Sequence, residues 1–328
     1  MRILVLGGTN FMGPHVVRGL VEGGHDVTIF HRGQTELELP ASVHHVHGDF
    51  TNFSEHAAAL RILEPQVVLD MVPFREEDVQ RLKSFKGVAR RVVAISSGDV
   101  YRAFGRIWRT EPGPPDSVPL TEDSPLREQL SHAGLDYNKT AVERGLINDP
   151  DLPATIIRAP ATYGPGDRQH RLFKYIKRMD DNRPAILLEE SMAQWRWARG
   201  YVEDVAHAIV LAVTDERAAG RIYNVATPGA FSEAEWVRKI GNVMGWKGDV
   251  ISAPMNQLPA SFHHQFDLTQ QYSVDSTRIR RELGYAELIP FEEGLRRTIE
   301  WERGNPPSNL HCDYEEEDEA LARLRNKD

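Results

Sequence analysis

The sequence is poor in cysteine, with Cys312 as the single thiol among 328 residues. One thiol can build neither an intrachain disulfide nor a cysteine-cluster zinc site nor a redox pair, and it fits a reducing compartment. No apolar run approaches the roughly 18 residues of a membrane span. The chain opens on a strand-like "RILVLGG" rather than on a signal peptide. These absences predict a cytoplasmic protein that does not bind membranes.

Positive charge is also scarce, because 39 Lys and Arg residues stand against 48 Asp and Glu residues, a formal net charge of -9. Binding to nucleic acid depends on basic side chains that neutralise phosphates, so nucleic acid is not the expected main partner. A small anionic ligand in a locally basic pocket is compatible with this charge. With 41% hydrophobic residues, the chain is long enough for one large core, or for a core and a smaller satellite domain.

The chain does contain a glycine-rich turn between a strand and a helix. The opening "RILVLGGTNFMGPHVVRGLVEGGHDVTIFHRG" predicts one βαβ unit. Gly7 allows a tight turn out of the strand, and Gly13 allows the helix to pack closely, so that its first amides face a pyrophosphate. Asn10 replaces the middle glycine of the usual spacing. The residues of this turn that we predict to bind a dinucleotide are Gly7, Thr9, Asn10, Phe11, Met12 and Gly13.

The end of the second strand bears on the choice of cofactor. A site that prefers NAD usually has an acid there to hold the ribose hydroxyls, whereas this chain has His31 and Arg32. An arginine can pair with a 2′-phosphate, which favours NADP over NAD, although Arg32 as a surface charge or a stacking partner for adenine is an alternative. Asp49, after the third strand, is placed to accept a hydrogen bond from the adenine amine.

Three histidines lie on or next to the third predicted strand, at positions 44, 45 and 47. Side chains alternate between the two faces of a strand, so His44, His45 and His47 are expected to point to opposite faces. We therefore predict no metal site.

Further apolar runs of strand length follow, including "QVVLDMV", "RRVVAISSGDVY" and "ATIIRAP". Such near-continuous runs are typical of central strands buried on both faces. They alternate with helical stretches, one of them from about residue 125 to 148. The pattern predicts an α/β fold with a doubly wound parallel sheet of the Rossmann kind. Residues 102–123, rich in proline, predict a long loop that could cover a substrate cleft.

Eight segments in order carry a family resemblance that spans nearly the whole chain: "GGTNFMG", "GDF", "ISSGDVY", "RAPATYGPGD", "GYVEDVAHAI", "YNVA", "DSTRIRRELGY" and "PFEEGLRRTIEW". The sequence resembles the extended short-chain dehydrogenases/reductases, the superfamily of nucleotide-sugar epimerases and dehydratases. Its opening is similar to the atypical branch that contains chloroplast stem-loop binding proteins. Members often form homodimers through the helix that carries the catalytic lysine.

The resemblance implies a cofactor domain and a smaller, discontinuous C-terminal substrate domain with a cleft between them. The expected boundaries are 1–165 plus about 200–226 for the cofactor domain, and about 166–199 plus 227–312 for the substrate domain. Residues 313–328 are expected to form a charged helix or a frayed tail, and a solvated surface face is the favoured interpretation.

The resemblance also implies hydride transfer between a substrate carbon and a nicotinamide. A tyrosine phenolate acts as the base, and a lysine lowers its pKa and holds the ribose. By similarity, Ser97 orients the substrate hydroxyl, Lys139 is the lysine, and Asp99 stands where sugar dehydratases carry an acid. A structural role for Asp99 in a turn is the alternative.

The tyrosine position of the family falls on Leu135, and the nearest tyrosine, Tyr137, precedes Lys139 by only two residues. On a regular helix two residues this far apart point to nearly opposite sides. One alternative is a late helix start near Asp136 that lets Tyr137 reach the cleft. In a second, another group does the proton work, namely Tyr101, Tyr163 or His132. In a third, the chain binds a cofactor without turning it over.

The substrate side is expected around "YGPGDRQHRLFKYIKRM" and "QWRWARGYVED". Guanidinium groups beside aromatic rings suit a nucleotide or a sugar phosphate, although a solvated helix face or a packed domain junction would give the same pattern. The residues that we assign to the substrate are Tyr101, Tyr163, Arg168, Arg171 and Arg199.

The predicted function is that of an NAD(P)-dependent epimerase, dehydratase or reductase. The alternative is a cofactor-binding protein without catalysis, such as a redox sensor or an RNA-associated relative of the stem-loop binding proteins.

Overall fold

The computed structural model describes residues 1–35, 38–130, 136–308 and 313–326. Three residues named above, His132, Leu135 and Cys312, lie outside these ranges. In the described part of the chain, no helix is long and apolar enough to cross a membrane.

The strands of the structure follow the apolar runs of the sequence. In chain order they are β1 (Arg2–Leu6), β2 (Asp26–His31), β3 (His44–His47), β4 (Val67–Asp70), β5 (Arg91–Ser97), β6 (Ala154–Ala159), β7 (Ala161–Tyr163), β8 (Ala185–Glu189), β9 (Arg199–Tyr201), β10 (Ile222–Asn224) and β11 (Asp249–Ala253). Seven of them form a parallel sheet in the order β10-β6-β5-β4-β1-β2-β3. The strand order reverses between β1 and β4, which is where open α/β sheets bind ligands beyond the carboxyl ends of their strands.

Helices cover both faces of this sheet. In chain order the helices are α1 (Met12–Glu22), α2 (Phe53–Ile62), α3 (Asp78–Lys83), α4 (Arg102–Ile107), α5 (Lys139–Leu146), α6 (Phe173–Asp180), α7 (Glu190–Gln194), α8 (Val202–Thr214), α9 (Glu233–Met244), α10 (Thr277–Leu283), α11 (Phe291–Gly304) and α12 (Glu315–Arg325). Alternate residues of β1 enter opposite cores: Ile3 and Val5 pack with α1 and α8, whereas Leu4 and Leu6 pack with α2, α3 and α5. The predicted doubly wound parallel sheet is therefore confirmed.

A separate apolar cluster lies beside the sheet, among α6, α9, α11 and β8. It contains segments from both sides of β9 and β10 in the sequence, as a discontinuous unit would. The predicted domain boundaries themselves stay a prediction.

Three local predictions differ from the structure. The helix expected from about residue 125 begins only at Lys139, with Asn138 as its N-cap. The loop expected from residue 102 opens with α4. The C-terminal segment forms α12, whose Leu321 is buried and whose Glu317 pairs with Arg178, so the favoured interpretation of a solvated face is wrong for this side of the helix.

Candidate active site

The glycine-rich turn has the backbone that its sequence predicts. Gly7 and Gly8 adopt φ values of +88° and +90°, which residues other than glycine rarely adopt. A Cβ on Gly13 would lie 2.4 Å from the Gly8 carbonyl carbon, so Gly13 is required by the turn backbone rather than by the sheet. Helix α1 then starts without a side-chain cap and without an acid in its first turn. The Gly13 amide donates to the Asn10 carbonyl oxygen at 2.9 Å and Pro14 has no amide hydrogen, so the fit to a dinucleotide pyrophosphate rests on the tight backbone and on the positive end of the helix.

The same turn contacts the segment after β7. With its amide oriented to satisfy its hydrogen bonds, the Asn10 oxygen accepts from Arg168 Nη2 at 3.0 Å. Phe11 packs near Gly166, and Met12 Sδ lies 3.9 Å from Thr162 Oγ1. Arg168, which we assigned to the substrate, therefore lies at the glycine-rich turn. Thr9 lies half-buried in the turn.

Arg32 and Asp49, which we name the β2–β3 end, are both exposed. Asp49 Oδ1 accepts from the Thr51 amide and hydroxyl, at 2.9 Å each. The hydrogen bond from the Thr51 amide, and after it the one from the Thr51 hydroxyl, lower the pKa of Asp49. The nearby charge of Arg32 lowers it further. An exposed cation at the carboxyl end of β2 is positioned as the sequence predicted.

Four of the predicted catalytic residues converge at the other side of the strand-order reversal, which we name the β5–α5 end: Ser97, Asp99, Tyr137 and Lys139. The Tyr137 hydroxyl is hydrogen-bonded to Ser97 and Asp99. Burial raises the pKa of Tyr137, and the adjacent Asp99 carboxylate raises it further. In this arrangement the phenol is therefore a proton donor to Asp99 rather than a phenolate.

Lys139 is buried beneath these groups, with 4% of its surface exposed. Its Nζ donates to the carbonyl oxygens of Ile95 at 2.7 Å and Pro73 at 3.2 Å. It also lies 5.7 Å from the centre of the Tyr137 ring. Burial lowers the pKa of Lys139 to about 8, although the Asp99 carboxylate opposes the shift.

Tyr137 reaches the site because it precedes the helix. Asn138 has an extended-type φ of -131° and its side chain accepts from the Ala141 amide, so α5 begins one residue later. Opposite directions for Tyr137 and Lys139 would hold only on a regular helix, and Tyr137 lies before α5 begins. The alternative of a late helix start agrees with the structure, although Asn138 rather than Asp136 is the cap.

A cavity of about 410 Å³ opens beside these groups. Its lining includes the polar Ser97, Asp99 and Tyr137 as well as the aromatic Trp108 and Trp197. Arg171 also lines it, but its guanidinium donates to Thr162 O at 2.8 Å and pairs with Asp167. The cavity thus combines proton-transfer groups with aromatic side chains, which suits a ring-shaped, hydroxylated ligand.

Besides Arg168, three further predicted substrate residues are absent from the lining of this cavity. Tyr101 is fully buried, and its hydroxyl lies 2.6 Å from Asn224 Oδ1 and 2.9 Å from Arg158 Nη1; burial raises its pKa to about 12. Arg199 is buried and bonds Glu233 at 2.7 Å. Tyr163, also buried, packs against aromatic rings of the apolar cluster among α6, α9, α11 and β8. All three were assigned to the substrate, but each is buried inside the protein.

A buried charge pair that was not predicted from the sequence lies under the site. Arg158 in β6 makes a two-pronged contact with Glu143 in α5, at 2.7 and 3.1 Å, and both side chains are 2% exposed. Ser96 also donates to Glu143. Two signals were present: an arginine inside the apolar run "ATIIRAP", and a glutamate four residues after Lys139 on the same helix face.

The chain is similar to several known proteins in sequence and in fold. The chain is 26% identical over 262 residues to the 2'-dehydrokanamycin reductase of Streptomyces kanamyceticus, covering 77% of this chain and 70% of that one. It is 24% identical over 238 residues to the chloroplast stem-loop binding protein of 41 kDa b of Arabidopsis thaliana, covering 69% and 58%. The solved dTDP-glucose 4,6-dehydratase of Bacillus anthracis in complex with NAD superposes with a TM-score of 0.70 at 17% identity, covering 93% of this chain and 97% of that one.

The family model described as the NAD dependent epimerase/dehydratase family matches residues 3–226, which include the glycine-rich turn and both ends of the site. This match extends over more than half of the chain. The chain therefore belongs to the NAD dependent epimerase/dehydratase family.

Proposed function

We propose that this protein is an NAD(P)-dependent enzyme that oxidises or reduces a hydroxylated carbon of a nucleotide sugar or a similar metabolite. The observation that carries the proposal is the convergence of Ser97, Asp99 and Tyr137 at the cavity, above the buried Lys139. A bound nicotinamide would supply hydride exchange with the substrate carbon. Ser97 and Tyr137 hold the substrate oxygen by hydrogen bonds.

Asp99 gives this site its own proton path. Because the Tyr137 hydroxyl is hydrogen-bonded to Asp99, a proton taken by Tyr137 from a substrate hydroxyl can leave through the carboxylate. Lys139, with its pKa lowered to about 8, stays mostly protonated at neutral pH and stabilises negative charge on the phenol oxygen during that transfer.

A second buried cation favours a substrate with an acidic group. Arg127 is 3% exposed, and none of its three guanidinium nitrogens has a hydrogen-bond partner within the described residues. Its charge acts on the Tyr137 hydroxyl. A buried cation without a hydrogen bond is costly, and a substrate carboxylate or phosphate near Tyr137 would offset that cost.

For the cofactor we propose NADP over NAD. The support is that the exposed Arg32 stands at the end of β2, where an acid would be expected in an NAD site. Assembly as a homodimer is a part of the same proposal that rests on the family resemblance alone. A cytoplasmic location is a further part, and it rests on the composition of the sequence, above all on its single cysteine.

The experiment is a thermal-shift titration with NADP and NAD, followed by nicotinamide absorbance with acidic and neutral nucleotide sugars. We expect binding of both nucleotides and turnover of an acidic sugar. Binding without any turnover would support the second candidate, a cofactor-binding protein without catalysis. The raised pKa of Tyr137 and the likeness to a stem-loop binding protein favour that candidate. Failure to bind either nucleotide would contradict both.

A further inference from the structure

Three histidines come together at the carboxyl ends of β2 and β3. His31 stands opposite His47 in the register of these parallel strands, and His45 is two residues before His47, so the three side chains share one face. Ring nitrogens of His31, His45 and His47 all lie within 4.8 Å of one another. Alternation along β3 puts only His44 on the opposite face, so the prediction of no metal site did not take this shared face into account.

The three imidazole rings lie close together. The centre of the His31 ring lies 4.7 Å from that of His47 and 5.1 Å from that of His45. Gly33 turns with a φ of +70°, and a Cβ on it would lie 3.2 Å from the His47 ring. The Gly33 turn therefore lies against one side of the cluster. His31, with only 3% of its surface exposed, is its buried member.

We propose that His31, His45 and His47 bind a Zn²⁺ ion through one nitrogen each, with water in the fourth position. Three imidazoles are a common zinc donor set, and tetrahedral Zn–N bonds of about 2.05 Å place two nitrogens about 3.3 Å apart. His31 Nε2 and His45 Nδ1, now 2.9 Å apart, need to separate slightly. The other ring nitrogens of the cluster are farther apart, and rotation of the exposed His45 and His47 rings brings them to the same spacing.

The proton balance sets a condition on binding. The Gly33 amide donates to His31 Nδ1 at 3.2 Å, so the neutral His31 ring carries its proton on Nε2 and donates it to His45. When Nε2 binds zinc, that proton moves to Nδ1 through solvent, and the Gly33 contact is released. Binding of the metal then takes no proton from a neutral cluster.

The test uses the full chain without a histidine tag, nucleotide or substrate, so its result does not depend on the proposed reaction. Zn²⁺ is titrated against a chromophoric chelator, and Co²⁺ serves as a spectroscopic substitute. We expect one equivalent to bind. The variants His45→Ala and His47→Ala should each weaken binding by at least about tenfold.

His44→Ala is the matched control. His44 lies on the same strand but on the opposite face, 3.7 Å from Asp26, and should leave affinity unchanged. Both replaced rings are exposed, so melting curves are expected to show that all variants fold. Equal affinity of the His44→Ala and His45→Ala variants, or the absence of one-to-one binding to the wild type, would overturn the proposal and leave a hydrogen-bonded histidine pair only.

Discussion

The two ends of the site differ in how their charges are held. At the β2–β3 end, Arg32 and Asp49 are exposed, and the pKa of Asp49 is lowered by hydrogen bonds from a residue two positions away, Thr51. At the β5–α5 end, Lys139 is buried, and its nearest acceptors, Pro73 and Ile95, are distant in sequence. Local sequence sets the first end, whereas packing sets the second. Substitutions should therefore change binding at one end, and catalysis and stability at the other.

The largest effect is expected at Tyr137. Tyr137→Phe removes the hydroxyl that bonds Ser97 and Asp99, so kcat/KM should fall about 10²- to 10⁴-fold, the usual contribution of a general acid or base. Steady-state kinetics with the substrate found in the panel, together with nucleotide affinity, provide the measurement. Unchanged kcat/KM would move the proton transfer to another group.

Tyr101→Phe is the matched control, because this phenol also lies near the cavity but bonds Asn224 and Arg158 inside the protein. We expect a free energy of unfolding lower by about 1–3 kcal/mol, since buried polar partners lose a hydrogen bond. Activity of the folded fraction should hold. A selective loss of kcat would restore Tyr101 as a catalytic residue.

Glu143→Ala tests the buried pair beneath the β5–α5 end. Removing one partner of a buried ion pair leaves the Arg158 charge uncompensated, which costs about 3–5 kcal/mol in the free energy of unfolding. Urea unfolding measures this loss. Asp181→Ala, which breaks the exposed pair with Lys177, should cause a change too small to resolve. Similar losses for both variants would contradict the contrast between buried and exposed charges.

Lys139→Met should stabilise the protein at neutral pH while reducing turnover. Because burial lowers the Lys139 pKa to about 8 from an ordinary 10.5, the folded protein carries the cost of a buried cation, on the order of 3 kcal/mol. That cost is complete below pH 8 and disappears as the pH rises toward 10.5. The stability gain of the variant, measured by urea unfolding, should therefore shrink between pH 7 and pH 10. A difference in the free energy of unfolding that stays constant with pH would show that burial does not disfavour the protonated form of Lys139.

Among the effects on turnover and ligand binding, the smallest is expected at the β2–β3 end. Arg32→Ala should raise the dissociation constant of NADP about 10- to 100-fold, since a charge-assisted hydrogen bond contributes about 1.5–3 kcal/mol. NAD binding should change little. Arg90→Ala, an exposed arginine at the opposite end of the sheet beside Glu216, is the control. Equal losses for both nucleotides would assign Arg32 to a contact that they share.

The sequence predicted those parts of the site in which neighbours along the chain do the work. The positive φ values at Gly7 and Gly8 follow from a strand, a turn and a helix that are consecutive in sequence. Prediction failed where a side chain's surroundings come from elsewhere. Arg199 was assigned to the substrate because its residue type suits a phosphate, but Glu233, distant in the chain, holds it in the core.

The sequence by itself determined the sheet, the glycine-rich turn and the exposed cation after β2, because periodicity and turn chemistry act over a few residues. Only the tertiary structure decided that Tyr137 meets Ser97 and Asp99, that Tyr101 is buried, and that His31 joins His45 and His47 on one face. The physical reason is that burial and contact between separate strands arise from packing. These packing contacts set the pKa of a phenol and the direction of an imidazole side chain far more strongly than the residue's neighbours in sequence do.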